Sequence, residues 1–142
     1  MILIEEQGSP IRLNPIIAKM KPQGSEKVLD IGFGNGYLEK LIFRQAQCQI
    51  EGVDISEDMV KVATRNNKEA VSNGKVHFAV GDCCDLTFDG ASFDVVVTMN
   101  TIYFWGDTIK GLKEIHRDTF GWEKKLDLTI FQLRHWVINT EY

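Results

Sequence analysis

The sequence contains no apolar run approaching the roughly 20 residues that a membrane-spanning helix requires, and no apolar leader, so neither a span nor a secretory signal is expected. Cysteine is scarce: there are three, an odd number, and none has the spacing of a metal clip. Cys83 and Cys84 are adjacent and Cys48 stands alone, which predicts reduced thiols used for packing in a cytoplasmic setting. Positive charge is not in excess, since 16 Lys and Arg meet 20 Asp and Glu for a net charge of −4. A chain that relied on nucleic-acid phosphates would need clustered cations. Lys61, Arg65, Lys68 and Lys75 do recur, but Glu57, Asp58 and Glu69 interleave with them and mark a solvated face. What remains is ordinary for a soluble domain: 44% hydrophobic and 25% charged residues. The 142 residues are read as one domain, spanning 1–142, with enough length for a real core.

Along the chain, residues 10–20 (PIRLNPIIAKM) suggest a short helix restarted near Pro15, and residues 21–25 (KPQGS) a turn. Residues 27–31 (KVLDI) read as a buried strand running into Gly32, Gly34 and Gly36. A helix follows over 37–47, with Leu38, Leu41 and Ile42 on one face, and then a strand at 49–54 (QIEGVD). Ser56 is a good N-cap for a second helix that Asn73-Gly74 stops, with Glu57 and Asp58 suited to its first turn. Residues 76–80 (VHFAV) and 93–99 (FDVVVTM) are further strands, the latter almost wholly apolar like a strand covered on both faces. Asp107 caps a last helix to about Arg117. Strands alternating with helices at this spacing predict an α/β, doubly wound, mainly parallel sheet, whose ligands sit at the carboxyl ends of the strands.

The polar clusters lie at those ends. Asp30-Ile31-Gly32-Phe33-Gly34-Asn35-Gly36 joins strand to helix, where glycine lets a ligand approach the backbone closely. A dinucleotide loop wants a third glycine where this chain has Tyr37, so that pattern fails. The acid at the strand end would repel a pyrophosphate but suits a ligand carrying an ammonium and a sulfonium, which favours S-adenosylmethionine over NAD. Asp54, ending the second strand, can accept both hydroxyls of a ribose, a feature common to the two ligands.

VLDIGFGNGY, EGVDISEDMV, VGDCCDLTFDGASFDVVV and MNTIYFW stand in order over residues 27–117. Together they resemble the successive motifs of class I S-adenosylmethionine-dependent methyltransferases, nearest the small-molecule branch that includes quinone-precursor enzymes. The resemblance implies a Rossmann-like methyltransferase fold and methyl transfer to a small-molecule acceptor. It implies that Asp30 and the loop residues Gly32, Phe33, Gly34, Asn35 and Gly36 line the methionine end, with Asp30 helping to hold the amino group. Asp54 would bind the ribose, with Ile55 and Met59 against the adenine. Asp82 would face the adenine amino group and the Cys83 N–H the ring. Asn100 would sit under the methyl donor.

A transferable methyl on a sulfonium is already activated, so the protein chiefly orients the reactants and excludes water. A base is needed only if the acceptor must lose a proton, and no catalytic residue is assigned. His77, His116 and His135 are candidates by chemistry alone, with His77 and His116 away from the expected mouth. Tyr103 and Trp105 either wall an acceptor pocket or are core aromatics. The Asn-Pro-Pro-aromatic motif of nucleic-acid amino-methyltransferases is missing, because Thr101, Ile102 and Tyr103 follow Asn100.

After about Arg117 the chain departs from the family. The 25 residues that follow are fewer than the roughly 40 that the usual helix and three strands need, so C-terminal strands are expected to be missing. Residues 125–131 (KLDLTIF) alternate and can add a fifth strand to the sheet, and self-association through the apolar tail is expected. A non-catalytic S-adenosylmethionine-binding module, or an inactive truncated methyltransferase, is the alternative reading.

Overall fold

The computed structural model describes residues 2–3, 17–18, 20–90, 92–98, 105–118, 128–131 and 137–140. Strand β1 is Ile2–Leu3, and the main strands are β2 (Lys27–Ile31), β3 (Gln49–Asp54), β4 (Val76–Val80) and β5 (Val95–Thr98). Helix α1 (Tyr37–Ala46) joins β2 to β3, and α2 (Glu57–Asn66) with α3 (Lys68–Ser72) joins β3 to β4. Helix α4 (Thr108–Asp118) follows β5, and β6 (Leu128–Phe131) and β7 (Val137–Thr140) lie in the tail.

The four main strands form one parallel sheet in the order β4-β3-β2-β5. Ile31 is in register with Val53 on one side and with Thr98 on the other, and Asp54 with Val80, so the strands end along one rim. The two-residue period of a strand assigns neighbours to opposite faces. Val28 and Val97 belong to a core with Ile17, Met20, Leu38, Ile42, Ile50, Ala63 and Phe78. Leu29 and Val96 belong to a second core with Ile31, Val53, Leu86, Phe93 and Ile115. Each fully buried side chain of this kind contributes about 1.5–3 kcal/mol, and β5 (VVVT) is accordingly almost wholly apolar.

Strands 27–31, 49–54 and 76–80 fall where the sequence predicts them. Three details differ. The fourth strand is shorter than expected: Phe93 makes only an isolated bridge before β5, and Met99 lies outside the described residues. The helix after Ser56 is not continuous, because Asn67, at φ −119° and ψ 34°, divides α2 from α3. The tail forms two strands, but neither joins the four-stranded sheet. β6 pairs in parallel with β1 and antiparallel with β7, and β1 lies beside β5. The expected fifth strand of the main sheet is thus replaced by a separate three-stranded sheet that uses the N-terminal strand. No described helix is long and apolar enough to cross a membrane.

Candidate functional site

The rim at the carboxyl ends of β2, β3 and β4 brings Asp30, the 32–36 loop, Asp54 and Asp82 to one edge of the sheet. The loop is held from three directions. Gly32 N–H donates to the Val53 carbonyl at 2.7 Å, anchoring the turn to β3. One oxygen of Asp54 accepts from Gly34 N–H at 3.1 Å and the other from Ser56 N–H at 2.9 Å. The neighbouring side-chain amides of Asn66 and Asn67 donate to the Asn35 and Gly36 carbonyls, each at 2.9 Å.

Two glycines are required by geometry. Gly36 begins α1 at φ 76°, and a Cβ there would lie 2.6 Å from Asn67 Nδ2 and 2.8 Å from Ala63 Cβ. This glycine therefore permits the close packing of the start of α1 on α2. Gly34, at φ 57°, has nothing within 4 Å of the corresponding position, so it leaves open space above the loop.

Asp54 is half-buried and each of its oxygens keeps lone pairs beyond the one internal bond it accepts, leaving it able to receive further hydroxyl donors. Next to it Ile55 is 80% exposed, an apolar surface at the rim of the kind that a flat ring would cover. Met59 is half-buried, and its N–H donates to the Ser56 hydroxyl that caps α2. Phe33 is different: its ring packs in the core against Phe78 at 4.6 Å between centroids, so only its backbone faces the loop. Asn35 is exposed and accepts from Tyr37 N–H at 3.1 Å.

On the β4 side, Asp82 is exposed and accepts from Cys84 N–H at 2.8 Å, forming a tight turn. Cys83 is buried with its sulfur 3.7 Å from that of Cys84. Possible ligand atoms of Asp82, Cys83 and Cys84 lie within 4.8 Å of one another. Burial first, and then the neighbouring Cys84, push the Cys83 thiol up to about 12, so it stays protonated at neutral pH. All three cysteines are free and buried. His77 is exposed on β4 and pairs with Glu51 at 2.9 Å, His116 is exposed on α4, and neither is on the rim. Trp105 packs on the second core, where its ring lies 2.7 Å from a Cβ position at Gly111. Asn100, Tyr103 and His135 lie outside the described residues.

The main feature that sequence reasoning missed is Glu39. It is fully buried in α1, beside Asp30, which is 1% exposed. Taken as carboxylates, Asp30 Oδ1 and both Glu39 oxygens find no hydrogen-bond donor among the described residues. A proton on either carboxyl would let it donate to the other. Burial raises the Asp30 carboxyl to about 6, the bond from Glu39 opposes the rise, and the charge of Asp54 adds to it. Glu39 is raised well above its ordinary value, by burial and then by Asp30.

Comparison with known proteins identifies the family. A family described as a methyltransferase domain matches residues 28–119, well over half of the chain. The uncharacterized methyltransferase YdaC of Bacillus subtilis is 30% identical over 65% of this chain and 49% of its own length. The ubiquinone/menaquinone biosynthesis C-methyltransferase UbiE of Geobacter sp. is 31% identical over 71% of this chain and 44% of its own. The chain thus spans about half the length of the curated relatives it matches. Among solved structures, an S-adenosylmethionine-dependent methyltransferase from Geobacter sulfurreducens, in complex with S-adenosyl-L-homocysteine, shares the fold. Its TM-score is 0.67 at 20% identity, over 80% of this chain and 45% of that one. The glycine loop, the acids along the rim and the family match together place this chain in the class I S-adenosylmethionine-dependent methyltransferase family.

Proposed function

We propose that the chain binds S-adenosylmethionine along the β2–β4 rim and transfers its methyl group to a small-molecule acceptor. The observation that carries this is a buried carboxyl pair, Asp30 of β2 beside Glu39 of α1, with three oxygens that no described donor reaches, next to an open glycine loop. A buried acid without a donor is costly, and a ligand with an ammonium group relieves that cost. The chemistry of the described residues suits several parts of the cofactor. Asp30 suits the amino group, Asp54 the ribose hydroxyls, Ile55 and Met59 an adenine face, and Asp82 with the Cys83 N–H the adenine edge.

When bound, S-adenosylmethionine supplies a methyl group already activated on a sulfonium. The chain's own contribution is to fix the ligand at several points and to keep its reactive end oriented. Asp54 does so while bracing Gly34 and Ser56, so loop and ligand are ordered by one carboxylate. Relatives named for ubiquinone and menaquinone biosynthesis support a small, ring-bearing acceptor over a macromolecule. The net charge of −4 supports the same choice against nucleic acid. The three unpaired thiols support a reducing, cytoplasmic setting.

Calorimetric titration with S-adenosylmethionine, S-adenosylhomocysteine and NAD tests the cofactor. Micromolar binding of the first two, near −8 kcal/mol, is expected. Heat with NAD alone would overturn it. Binding without methyl transfer to any compound in a broad acceptor screen would select the non-catalytic alternative.

A further inference from the structure

Glu39 belongs to no motif that the family reading uses, yet it is one of the largest side chains buried without any exposure. A glutamate placed there for packing alone would be a poor choice, since burying a carboxyl without a partner costs more than burying an apolar side chain of similar volume. Among the described residues its neighbourhood supplies no counter-charge. The acid groups acting on it are Asp30 from β2 and Asp54 from β3, and no ion pair among the described residues reaches Glu39 or Asp30. The group it can bond is Asp30, at the end of the strand that leads into the glycine loop.

We propose that Glu39 is a positioning residue for the cofactor's ammonium group. It keeps its own proton, donates it in a hydrogen bond to Asp30, and so holds Asp30 as a charged, oriented acceptor. The inference rests on the cofactor reading above and extends it to a residue behind the site. One consequence is a proton linkage. In the empty protein Asp30 takes up a proton as the pH falls through about 6, and an ammonium ligand must then displace it. Removing the Glu39 donor leaves Asp30 harder to ionise, so the same loss of affinity begins at higher pH.

The test compares two probes across pH 5 to 8. S-adenosylhomocysteine carries the ammonium group, and 5′-methylthioadenosine keeps the nucleoside but lacks the amino-acid end. In the parent, affinity for S-adenosylhomocysteine should be flat above pH 7 and fall toward roughly tenfold per unit below pH 6, while methylthioadenosine binding stays level. Glu39→Leu removes the donor at similar volume. It should weaken S-adenosylhomocysteine roughly tenfold at pH 7, about twofold through a midpoint raised by about one pH unit and the rest through the lost orientation of Asp30, with methylthioadenosine unchanged. Glu39→Gln keeps an N–H donor and no titrating proton, and should hold both affinity and midpoint within about threefold of the parent. A Leu variant that matches the parent overturns the role of Glu39. So does a Gln variant that binds methylthioadenosine normally but loses S-adenosylhomocysteine, which needs no folded Leu variant to decide. If the parent binds neither nucleoside, the cofactor reading itself falls. Normal nucleoside binding with no pH dependence removes only the Glu39 inference.

Discussion

Two buried acidic regions of this molecule are treated in opposite ways. At the end of α4, Asp118 is fully buried and its carboxylate meets Arg117 at 2.8 Å. Arg117 also pairs with Glu114 and donates to the Leu86 carbonyl, while the Asp118 carbonyl receives Ser92 and Phe93 N–H. At the end of β2, Asp30 and Glu39 are equally buried and have no cation at all among the described residues. The first region is closed on itself and ties the 82–90 segment and the start of β5 to α4. The second is left with unsatisfied acceptors at the edge where the glycine loop opens. Among the described residues one buried acid has an arginine and the Asp30–Glu39 pair has none, which suits the second site to a cation from outside.

The largest expected effect comes from Asp54, which joins the open region to the loop. Asp54→Ala should weaken S-adenosylhomocysteine binding by roughly 2–4 kcal/mol in calorimetry, through loss of two charge-assisted acceptors. Because Asp54 also braces Gly34 and Ser56 N–H, a lower midpoint of thermal unfolding should accompany the loss. Unchanged affinity would mean that the ribose is held elsewhere.

The closed region predicts the opposite balance. Arg117→Met strands a buried carboxylate and should lower the urea unfolding free energy by about 2–3 kcal/mol, short of the full cost of a wholly buried pair because Arg117 itself is partly exposed. Cofactor affinity should change by less than about 0.5 kcal/mol, as expected for sites without shared partners. Equal losses of stability and affinity would erase the contrast between the regions.

Asp30→Asn sharpens it further. An acid whose folded-state pKa is raised, here from 3.8 to about 6, binds its proton more tightly folded than unfolded. Stability of the empty protein therefore declines as pH rises from about 4 through 6, and the neutral amide escapes that decline. Asp30→Asn should raise the unfolding free energy at pH 8 by about 1–3 kcal/mol while weakening S-adenosylhomocysteine. Chemical denaturation of parent and variant at pH 5 and pH 8 measures this. A variant less stable than the parent at pH 8 would show that the ionised Asp30 is satisfied internally.

The strands and the loop were legible because each has a local cause in the chain. KVLDI and VHFAV are largely apolar runs near turn residues, QIEGVD carries Ile50 and Val53 into the core, and Ser56 caps α2 as its position predicts. Glu39 was hidden by its residue type, since charge suggests a solvated position. Helical spacing did hold a signal, because Ile42 and Phe43, three and four residues on, are both buried on its face. Asn67 was hidden differently. It sits in a run of good helical periodicity, and only its bonds to Gly36 and Ala63 carbonyls explain why the helix divides there. The pairing of β6 with β1 depends on contacts between the two ends of the chain, which no local pattern encodes.

The most direct test of the open acidic region is the proton balance of binding. S-adenosylhomocysteine should be titrated calorimetrically into the protein at pH 6.0 and pH 7.5, each in buffers of different ionisation enthalpy. Release of about half a proton per site at pH 6.0 and little at pH 7.5 is the predicted result, since an ammonium beside Asp30 lowers a carboxyl that titrates near 6 when empty. Tight binding with no proton released at pH 6.0, or with protons taken up, would contradict it.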